Sequence, residues 1–80
     1  MDTVQAIKQR IEKLCYEHHI SMNKLARLSA VPPSSVKNII YGKSQNPKIL
    51  TIKMLCDGLG ITLTDFFNDE LFWNLDQELK

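Results

Sequence analysis

The stretch LARLSAVPPSSVKNIIYG, residues 25–42, contains two apolar patterns of helical spacing that are separated by two consecutive prolines. Pro32 disfavours a helical conformation in the residue before it, so it ends the first pattern. Pro33 at the first position of a helix loses only an N–H group that would have no partner there. The pair therefore predicts a short helix, a tight turn and a second helix, which runs to about Tyr41. Gly42 suits the left-handed position that commonly follows a helix.

The second of these helices carries a polar outer face. Its inward apolar residues are Val36, Ile39 and Ile40. Its outward residues are Ser34, Ser35, Lys37, Asn38 and Tyr41. A helix that only supports a core does not need such a face, so we expect this one to contact a partner. A solvated helix face is the alternative interpretation of the same residues.

Two helical patterns belong to the chain before the prolines. Asp2 and Gln5 have the spacing of a capping box before a first helix, which ends near His18 and His19. The inner residues of this helix are Val4, Ile7, Ile11, Leu14 and Cys15. Ser21 can cap the short second helix by accepting a backbone hydrogen bond. The buried side of the second helix is expected to be Leu25, Ala26 and Leu28.

Three helical patterns follow Gly42. Asn46-Pro47 can open a fourth helix, which Gly60 terminates. Its inner residues are expected to be Ile49, Ile52, Leu55, Cys56 and Leu59. Thr62 and Asp65 have capping-box spacing for a short fifth helix, which carries Phe66 and Phe67. A C-terminal helix is predicted from Leu71, Phe72, Leu75 and Leu79. No stretch alternates apolar and polar residues at period two, so we expect no sheet.

Size and composition predict one small domain of 80 residues with 44% hydrophobic content. The apolar runs are too short for a transmembrane helix, and no apolar segment follows the first basic residues as in a signal peptide. We therefore expect a cytoplasmic protein that has no membrane partner. Cys15 and Cys56 lie on apolar helix faces and are interpreted as reduced core residues, with a disulfide as the alternative.

Charge is divided unevenly along the chain. Residues 1–48 contain eight Lys or Arg and three Asp or Glu, a net charge of +5. Residues 49–80 contain two and six, a net charge of −4. A basic first part beside an acidic tail indicates a polyanionic partner for the first part only.

Two short helices joined by a tight turn describe a helix-turn-helix, whose second helix enters the major groove of DNA. Serine can pair with any base edge, and asparagine pairs with adenine through two hydrogen bonds. Lys37 and Lys43 flank the polar face and can meet phosphates, as can Lys24 and Arg27 if they face the DNA backbone.

Residues 20–67, ISMNKLARLSAVPPSSVKNIIYGKSQNPKILTIKMLCDGLGITLTDFF, resemble the Cro/lambda-repressor-like helix-turn-helix regulators, often called the XRE family. The resemblance covers about residues 7–67 and depends on the joint spacing of Leu25-Ala26, Val31, Val36, Ile39, Gly42, Asn46-Pro47 and Leu59-Gly60-Ile61. It implies an all-α fold, a five-helix lambda-repressor-like DNA-binding domain in residues 1–67. The helix-turn-helix unit is then about 21–42, and residues 68–80 form an additional C-terminal helical tail.

The same resemblance implies roles for individual residues. The family contacts phosphates with the start of the second helix, which is Met22 and Asn23 in this chain. It reads bases with the first turns of the third helix, here Pro33, Ser34, Ser35, Lys37 and Asn38. The complete set of expected DNA-binding residues adds Tyr41 and Lys43. Met22 and Pro33 replace polar residues that are frequent in the family. Ala30 stands where the turn usually has glycine, at a cost of about 1 kcal/mol if its backbone is left-handed.

The function expected from these features is sequence-selective DNA binding by a transcriptional regulator that represses by occupying promoter DNA. It would work in the bacterial cytoplasm, on the nucleoid when bound. The alternative is a protein-interaction module of the same fold, an antitoxin or accessory subunit that works through the acidic, aromatic tail. Binding as a dimer is expected, because a module with few basic residues makes few phosphate contacts.

A cluster of large apolar residues near the C-terminus suggests where a second copy would bind. Its members are Phe66, Phe67, Leu71, Phe72 and Trp73. Five such side chains in eight residues cannot all face inward on one helix, so part of the cluster is a candidate twofold homodimer interface. The alternative is that the cluster only closes the core of the same chain.

Catalysis and metal binding lack support in the sequence. Cys15 and His18 share a helix face and His19 adjoins them, but a metal site needs about four ligands and no second pair lies nearby. No nucleophile elbow, cofactor loop or paired-carboxylate motif is present. We therefore expect neither an enzyme nor a cofactor.

Overall fold

A computed structural model describes residues 1–79 and contains five α-helices. They are α1 (Thr3–Glu17), α2 (Met22–Ser29), α3 (Pro33–Ile40), α4 (Ile49–Leu59) and α5 (Leu63–Phe67). One 3-10 turn, Glu70–Phe72, follows α5. Residues 1–79 form no strand. The expectation of an all-α, five-helix domain is confirmed.

Local capping starts three of the helices where the sequence predicted. The N–H of Gln5 donates to the Asp2 carboxylate at 2.8 Å, and the Gln5 side chain accepts from the Asp2 N–H at 3.1 Å. Ser21 Oγ accepts from the Lys24 N–H at 3.1 Å at the start of α2. Thr62 and Asp65 form the second capping box, before α5. These caps satisfy N–H groups that have no partner inside the helix.

The proline pair separates α2 from α3 as predicted. α3 begins at Pro33, and Pro32 has the extended backbone (φ −55°, ψ 134°) that precedes a helix. α2 ends in Ala30, whose backbone is left-handed with φ 54°. Gly42 after α3 is also left-handed, with φ 76°. The turn between α2 and α3 therefore consists of the strained Ala30, Val31 and the extended Pro32.

One core joins the helices, and α2 packs closely across α4. Its members are Ala6, Ile7, Ile11, Leu14, Cys15, Leu25, Ala26, Val31, Val36, Ile39, Ile40, Ile52, Leu55, Cys56 and Phe66. Gly58 of α4 lies against Ser29 of α2, and a Cβ at Gly58 would be 2.1 Å from Ser29 Oγ. The close approach depends on a missing side chain at one position of the crossing.

Two buried-face predictions are corrected by this crossing. Leu28 is 50% exposed, because Ser29 takes the inner position at the end of α2. Helix α4 begins at Ile49 and not at Asn46-Pro47, and Ile49 is 55% exposed. As the first residue of α4, Ile49 lies beyond the part of the helix that packs on the core.

The cysteines are buried and form no disulfide, as expected for Cys15 and Cys56. Burial raises the pKa of both thiols above the usual value for cysteine. Both therefore stay protonated at neutral pH, which makes them weak nucleophiles and poor metal ligands. No helix in residues 1–79 has the length and apolar character needed to cross a bilayer.

A buried cation that sequence reasoning missed ties α1 to the C-terminal part of the chain. Arg10 donates to the carbonyl oxygen of Phe66 at 2.7 Å and to that of Asp65 at 2.9 Å. Its guanidinium also lies 3.3 Å from the Asp69 carboxylate. Lys13 donates to the same carboxylate at 2.7 Å. A charge this enclosed is tolerated because several acceptors surround it.

Asp69 is the centre of this ionic group. The hydrogen bond from Lys13, and next the one from the Leu71 N–H, holds the pKa of Asp69 below its usual value. The same hydrogen bond raises the pKa of Lys13. Because Asp69 also caps the 3-10 turn through Leu71, the turn is fixed to α1.

The predicted C-terminal helix of Leu71, Phe72, Leu75 and Leu79 is absent from the described residues, and a single 3-10 turn replaces it. The chain after this turn contacts the start of α1. The Asp76 N–H donates to the Met1 carbonyl oxygen at 3.1 Å, and Glu78 accepts from the Thr3 hydroxyl at 3.1 Å. These long-range hydrogen bonds favour a segment that follows α1 over a helix that points away from it.

The aromatic cluster mostly closes the core of its own chain. Phe66 is fully buried, and its ring lies 4.9 Å from that of Phe67. Phe72 lies 5.0 Å from Phe67. The five apolar residues do not share one helix but belong to α5, the 3-10 turn and the residues next to it, so three rings can converge. Phe66 is therefore too buried to contact a second copy, which corrects its place among the candidate dimer contacts. Of the five residues, Trp73 is the one that is largely exposed, at 69%.

Candidate nucleic-acid interface

Helix α3 presents a polar ridge away from the core. Three buried residues, Val36, Ile39 and Ile40, hold its inner side. On the opposite side Ser34, Asn38 and Tyr41 follow one another at i, i+4 and i+7, which places them along one line of an α-helix. All three are exposed, and Tyr41 is 71% exposed. The ridge is therefore accessible along the whole of α3.

The other predicted base-reading residues border this ridge. Pro33 and Lys37 are exposed on one side of it. Ser35 is half-buried on the other side, next to the start of α4. Within residues 1–79, the side-chain hydrogen bonds do not use the hydroxyl of Ser34 or Ser35, or the amide of Asn38. These groups are free to bond an external partner.

The loop after α3 is fastened to the end of that helix. The carbonyl oxygen of Asn38 accepts from the N–H groups of Lys43 and Ser44, both at 2.9 Å. The Gln45 side chain donates to the Gly42 carbonyl oxygen at 2.7 Å. Lys43 is therefore held close to the polar ridge although it belongs to a loop.

A shallow groove of about 360 Å³ separates α3 from the start of α4. Ser35 and Asn38 line one wall, and Lys48 and Thr51 line the other, with Lys43 between them. Sequence reasoning missed Lys48. The sequence feature that could have identified Lys48 is its position directly after Asn46-Pro47, close to the start of a helix. The first N–H groups of a helix lack intrahelical partners. α4 has no side-chain cap at this end.

The start of α2 divides between the core and the solvent. Met22 is half-buried and packs against the core, so its side chain has a packing role that the sequence analysis did not predict. Asn23 is exposed beside it, as are the next residue, Lys24, and Arg27 one turn later. Of the two positions expected at the start of α2, Asn23 is the one with an exposed polar side chain.

The segment of the sequence that contains the helix-turn-helix is more basic than a count over residues 1–48 and 49–80 indicates. No Asp or Glu occurs between Glu17 and Asp57, a segment that contains α2, α3 and most of α4. Its six basic residues are Lys24, Arg27, Lys37, Lys43, Lys48 and Lys53. Lys53 pairs with Asp57, and the other ion pairs of residues 1–79 lie outside this segment. The segment that contains the helix-turn-helix therefore has no acidic residue, and five of its six basic residues form no ion pair within residues 1–79.

The fold, polar ridge and basic segment agree with a family comparison. The sequence profile of the Cro/C1-type HTH DNA-binding domain matches residues 10–70. The chain belongs to the Cro/C1-type helix-turn-helix family. This confirms the resemblance seen in the sequence, and it makes the protein a member of a DNA-binding family. The matched range includes all five helices except the first turns of α1.

A solved structure shares the fold of this chain. The chain is similar to the crystal structure of the prophage Lp1 protein 11, with 28% sequence identity and a TM-score of 0.81. The similarity covers 94% of this chain and 100% of that one. No curated protein matches the chain. Within residues 1–79 no group of three or more His, Cys, Asp or Glu side chains is placed to hold a metal ion.

Proposed function

We propose that the protein regulates transcription by binding duplex DNA sequence-selectively, with α3 in the major groove. The observation that carries the proposal is the exposed ridge of Ser34, Asn38 and Tyr41 on a helix anchored from behind by buried residues. An α-helix with its side chains is about 10–12 Å wide, and the major groove is about 12 Å wide. The polar groups of the ridge then meet base edges.

Base reading is assigned to the first two turns of α3. Ser34, Ser35 and Asn38 supply hydrogen bonds, and Pro33 offers an apolar contact to a thymine methyl group. Lys37 flanks the ridge, where the DNA backbone passes. These residues are exposed, except that Ser35 is half-buried at the edge of the groove.

Phosphate contacts are assigned to the surroundings of α3. Lys43 and Tyr41 lie at its C-terminal end, and Asn23 lies at the start of α2. Met22 contributes its backbone N–H at the first helical position, because its side chain packs on the core. Lys48 joins this group, since it lines the same groove as Lys43. Such contacts set register and affinity and do not themselves read sequence.

We propose that the functional unit on DNA is a homodimer and that it represses by occupying promoter DNA in the bacterial cytoplasm, on the nucleoid. One chain supplies five free cations in the basic segment, so its binding is weak at physiological salt. Two chains on half-sites one helical turn apart, about 34 Å, combine their contacts. Of the apolar cluster expected at the interface, Trp73 is the most exposed member and Phe66 has no exposed surface.

The competing function is a protein-interaction module that uses the tail. The structure weakens its physical basis, because Phe66, Phe67 and Phe72 contact one another inside the same chain. Trp73 is left as the tail's large exposed aromatic residue. A single exposed tryptophan offers a small aromatic surface for the tail on which that alternative depends.

The test is selection of bound fragments from genomic DNA by the full chain, including DNA upstream of its own gene. The expected result is enrichment of a shared motif with twofold symmetry. A variant with Lys37→Glu and Lys43→Glu should lose this enrichment. A Trp73→Ala variant should enrich the same motif with lower affinity, because Trp73 is the exposed member of the proposed dimer interface. Recovery of random fragments by the wild type, or an unchanged enrichment by the Lys37→Glu and Lys43→Glu variant, would contradict the assignment.

A further inference from the structure

We infer that the amide of Asn38 recognises an adenine, so that the DNA bound by each chain contains an A·T pair opposite the second turn of α3. The inference rests on the proposed function and names the sequence feature that this site reads. It depends on the position of Asn38 on the ridge, the fixed backbone at that residue, and the chemistry of its side chain.

The position is the middle of the outward ridge. Asn38 comes four residues after Ser34 and three before Tyr41. Four residues of an α-helix rise about 6 Å, which is close to two base-pair steps of about 3.4 Å each. Ser34 and Asn38 are therefore spaced to reach base pairs about two steps apart along the groove.

The backbone beneath the amide is immobilised from two sides. The carbonyl oxygen of Asn38 accepts two hydrogen bonds from the following loop, and the next residue, Ile39, is buried. The side chain itself makes no hydrogen bond to another residue in 1–79 and is exposed. Because the backbone is already fixed, binding has to immobilise only one short side chain, which favours directional recognition.

The chemistry of the ridge singles out Asn38 as the discriminating group. Its amide places a donor and an acceptor side by side, and adenine offers the complementary pair, N6–H and N7, in the major groove. Guanine offers two acceptors there and would leave the amide oxygen unpaired. The hydroxyl of Ser34 can donate to or accept from any base, and the ammonium of Lys37 only donates.

The experiment is selection from a random DNA library with the wild type, Asn38→Ala, and the matched control Asn74→Ala. Asn74 is an exposed asparagine of the tail and lies outside the proposed DNA interface. Alanine at the exposed position 38 keeps the helix, because it has the highest helix propensity. The wild type and the control should select adenine at one position of each half-site, and Asn38→Ala should accept any base there while keeping the rest of the motif.

Modified bases then test the two hydrogen bonds separately. With 7-deazaadenine the acceptor N7 is lost, and with purine the N6 amino group is lost. Replacing that pair by G·C should weaken wild-type binding about 5- to 150-fold, the range of one bidentate contact, and each modified base should cause part of that loss. None of these replacements should change the affinity of Asn38→Ala.

The outcomes separate this inference from the proposed function. If the wild type enriches a motif but no position responds to Asn38→Ala, or if the modified bases leave wild-type affinity unchanged, adenine recognition is wrong and sequence-selective binding stands. Equal weakening of Asn38→Ala on specific and random DNA would make Asn38 a phosphate contact and also overturn the inference. If the wild type enriches no motif, both proposals fail.

Discussion

The crossing of α2 and α4 predicts that a single methyl group at Gly58 destabilises the protein. An ideal Cβ at Gly58 would lie 2.1 Å from Ser29 Oγ and 3.0 Å from Ser29 Cα and N. The hydroxyl can rotate away, but the backbone atoms move only if α2 shifts. Overpacking of this kind costs about 1–3 kcal/mol, whereas replacing a helical glycine by alanine returns at most about 1 kcal/mol. We expect Gly58→Ala to lower the free energy of unfolding by about 1 kcal/mol.

Urea and thermal unfolding measure this effect in four proteins, which are the wild type, Gly58→Ala, Ser29→Ala and the double variant. A loss of 1 kcal/mol corresponds to about 4–8 °C in Tm for a domain of this size. Ser29 Oγ is buried and has no hydrogen-bond partner among the described residues. Its removal should therefore be neutral or stabilising. The double variant should recover part of the loss, because it removes the shorter contact and leaves those to the backbone. A Gly58→Ala protein as stable as the wild type would refute the close crossing of α2 and α4.

Three further predictions concern DNA affinity, acid stability and backbone strain. Lys37→Ala should weaken binding to specific and random DNA alike and reduce the slope of log K against log salt by about one; an unchanged slope in a salt titration would exclude a phosphate contact. Asp69→Asn should lower the free energy of unfolding at pH 7 by about 1–3 kcal/mol, because a charge-assisted hydrogen-bond acceptor is lost. The pKa of Asp69 is depressed in the folded protein, so its stabilisation is full above about pH 4 and disappears as the pH falls through the folded pKa. Urea unfolding at pH 7 and pH 3 should therefore show a smaller acid loss in the variant, and equal losses would mean that Asp69 is not stabilised by Lys13. Ala30→Gly should raise Tm, since glycine adopts the left-handed φ of 54° at little cost and alanine pays about 1 kcal/mol there; a lower Tm would show that the alanine is unstrained.

The local parts of the fold could be predicted from the sequence because neighbouring residues determine them. The capping boxes at Asp2 and Thr62, the stop and start at Pro32 and Pro33, and the left-handed Gly42 all occur where expected. Each depends on contacts within a few residues. The inward and outward faces of α3 follow from helical periodicity for the same reason.

The C-terminal part could not be predicted because long-range contacts decide it. The spacing of Leu71, Phe72, Leu75 and Leu79 is compatible with a helix, yet the chain bends at Asp69 to reach Arg10 on α1. Those two residues are far apart in sequence, and their pairing has no local signal. The exposure of Leu28 likewise depends on how α2 packs, and that of Ile49 depends on where α4 begins, and periodicity specifies neither.

The surface positions of the candidate interface residues could be predicted better than the path of the tail. The polar residues of α3 lie on its surface as expected, because the face of a helix is a local property. Met22 was placed by family resemblance alone, and the structure packs its side chain on the core. The absence of acidic residues between Glu17 and Asp57 was present in the sequence but hidden when the charges were counted in two parts.

The most direct test of the account is an NMR study of the full chain with an operator duplex found by fragment selection. The central claim is that the ridge of Ser34, Asn38 and Tyr41 enters the major groove. We predict intermolecular NOEs from the side chains of Ser34 and Asn38 to thymine methyl and cytosine H5 protons, which lie in that groove. NOEs confined to minor-groove protons, or contacts from the surface around Trp73 in place of α3, would contradict the claim.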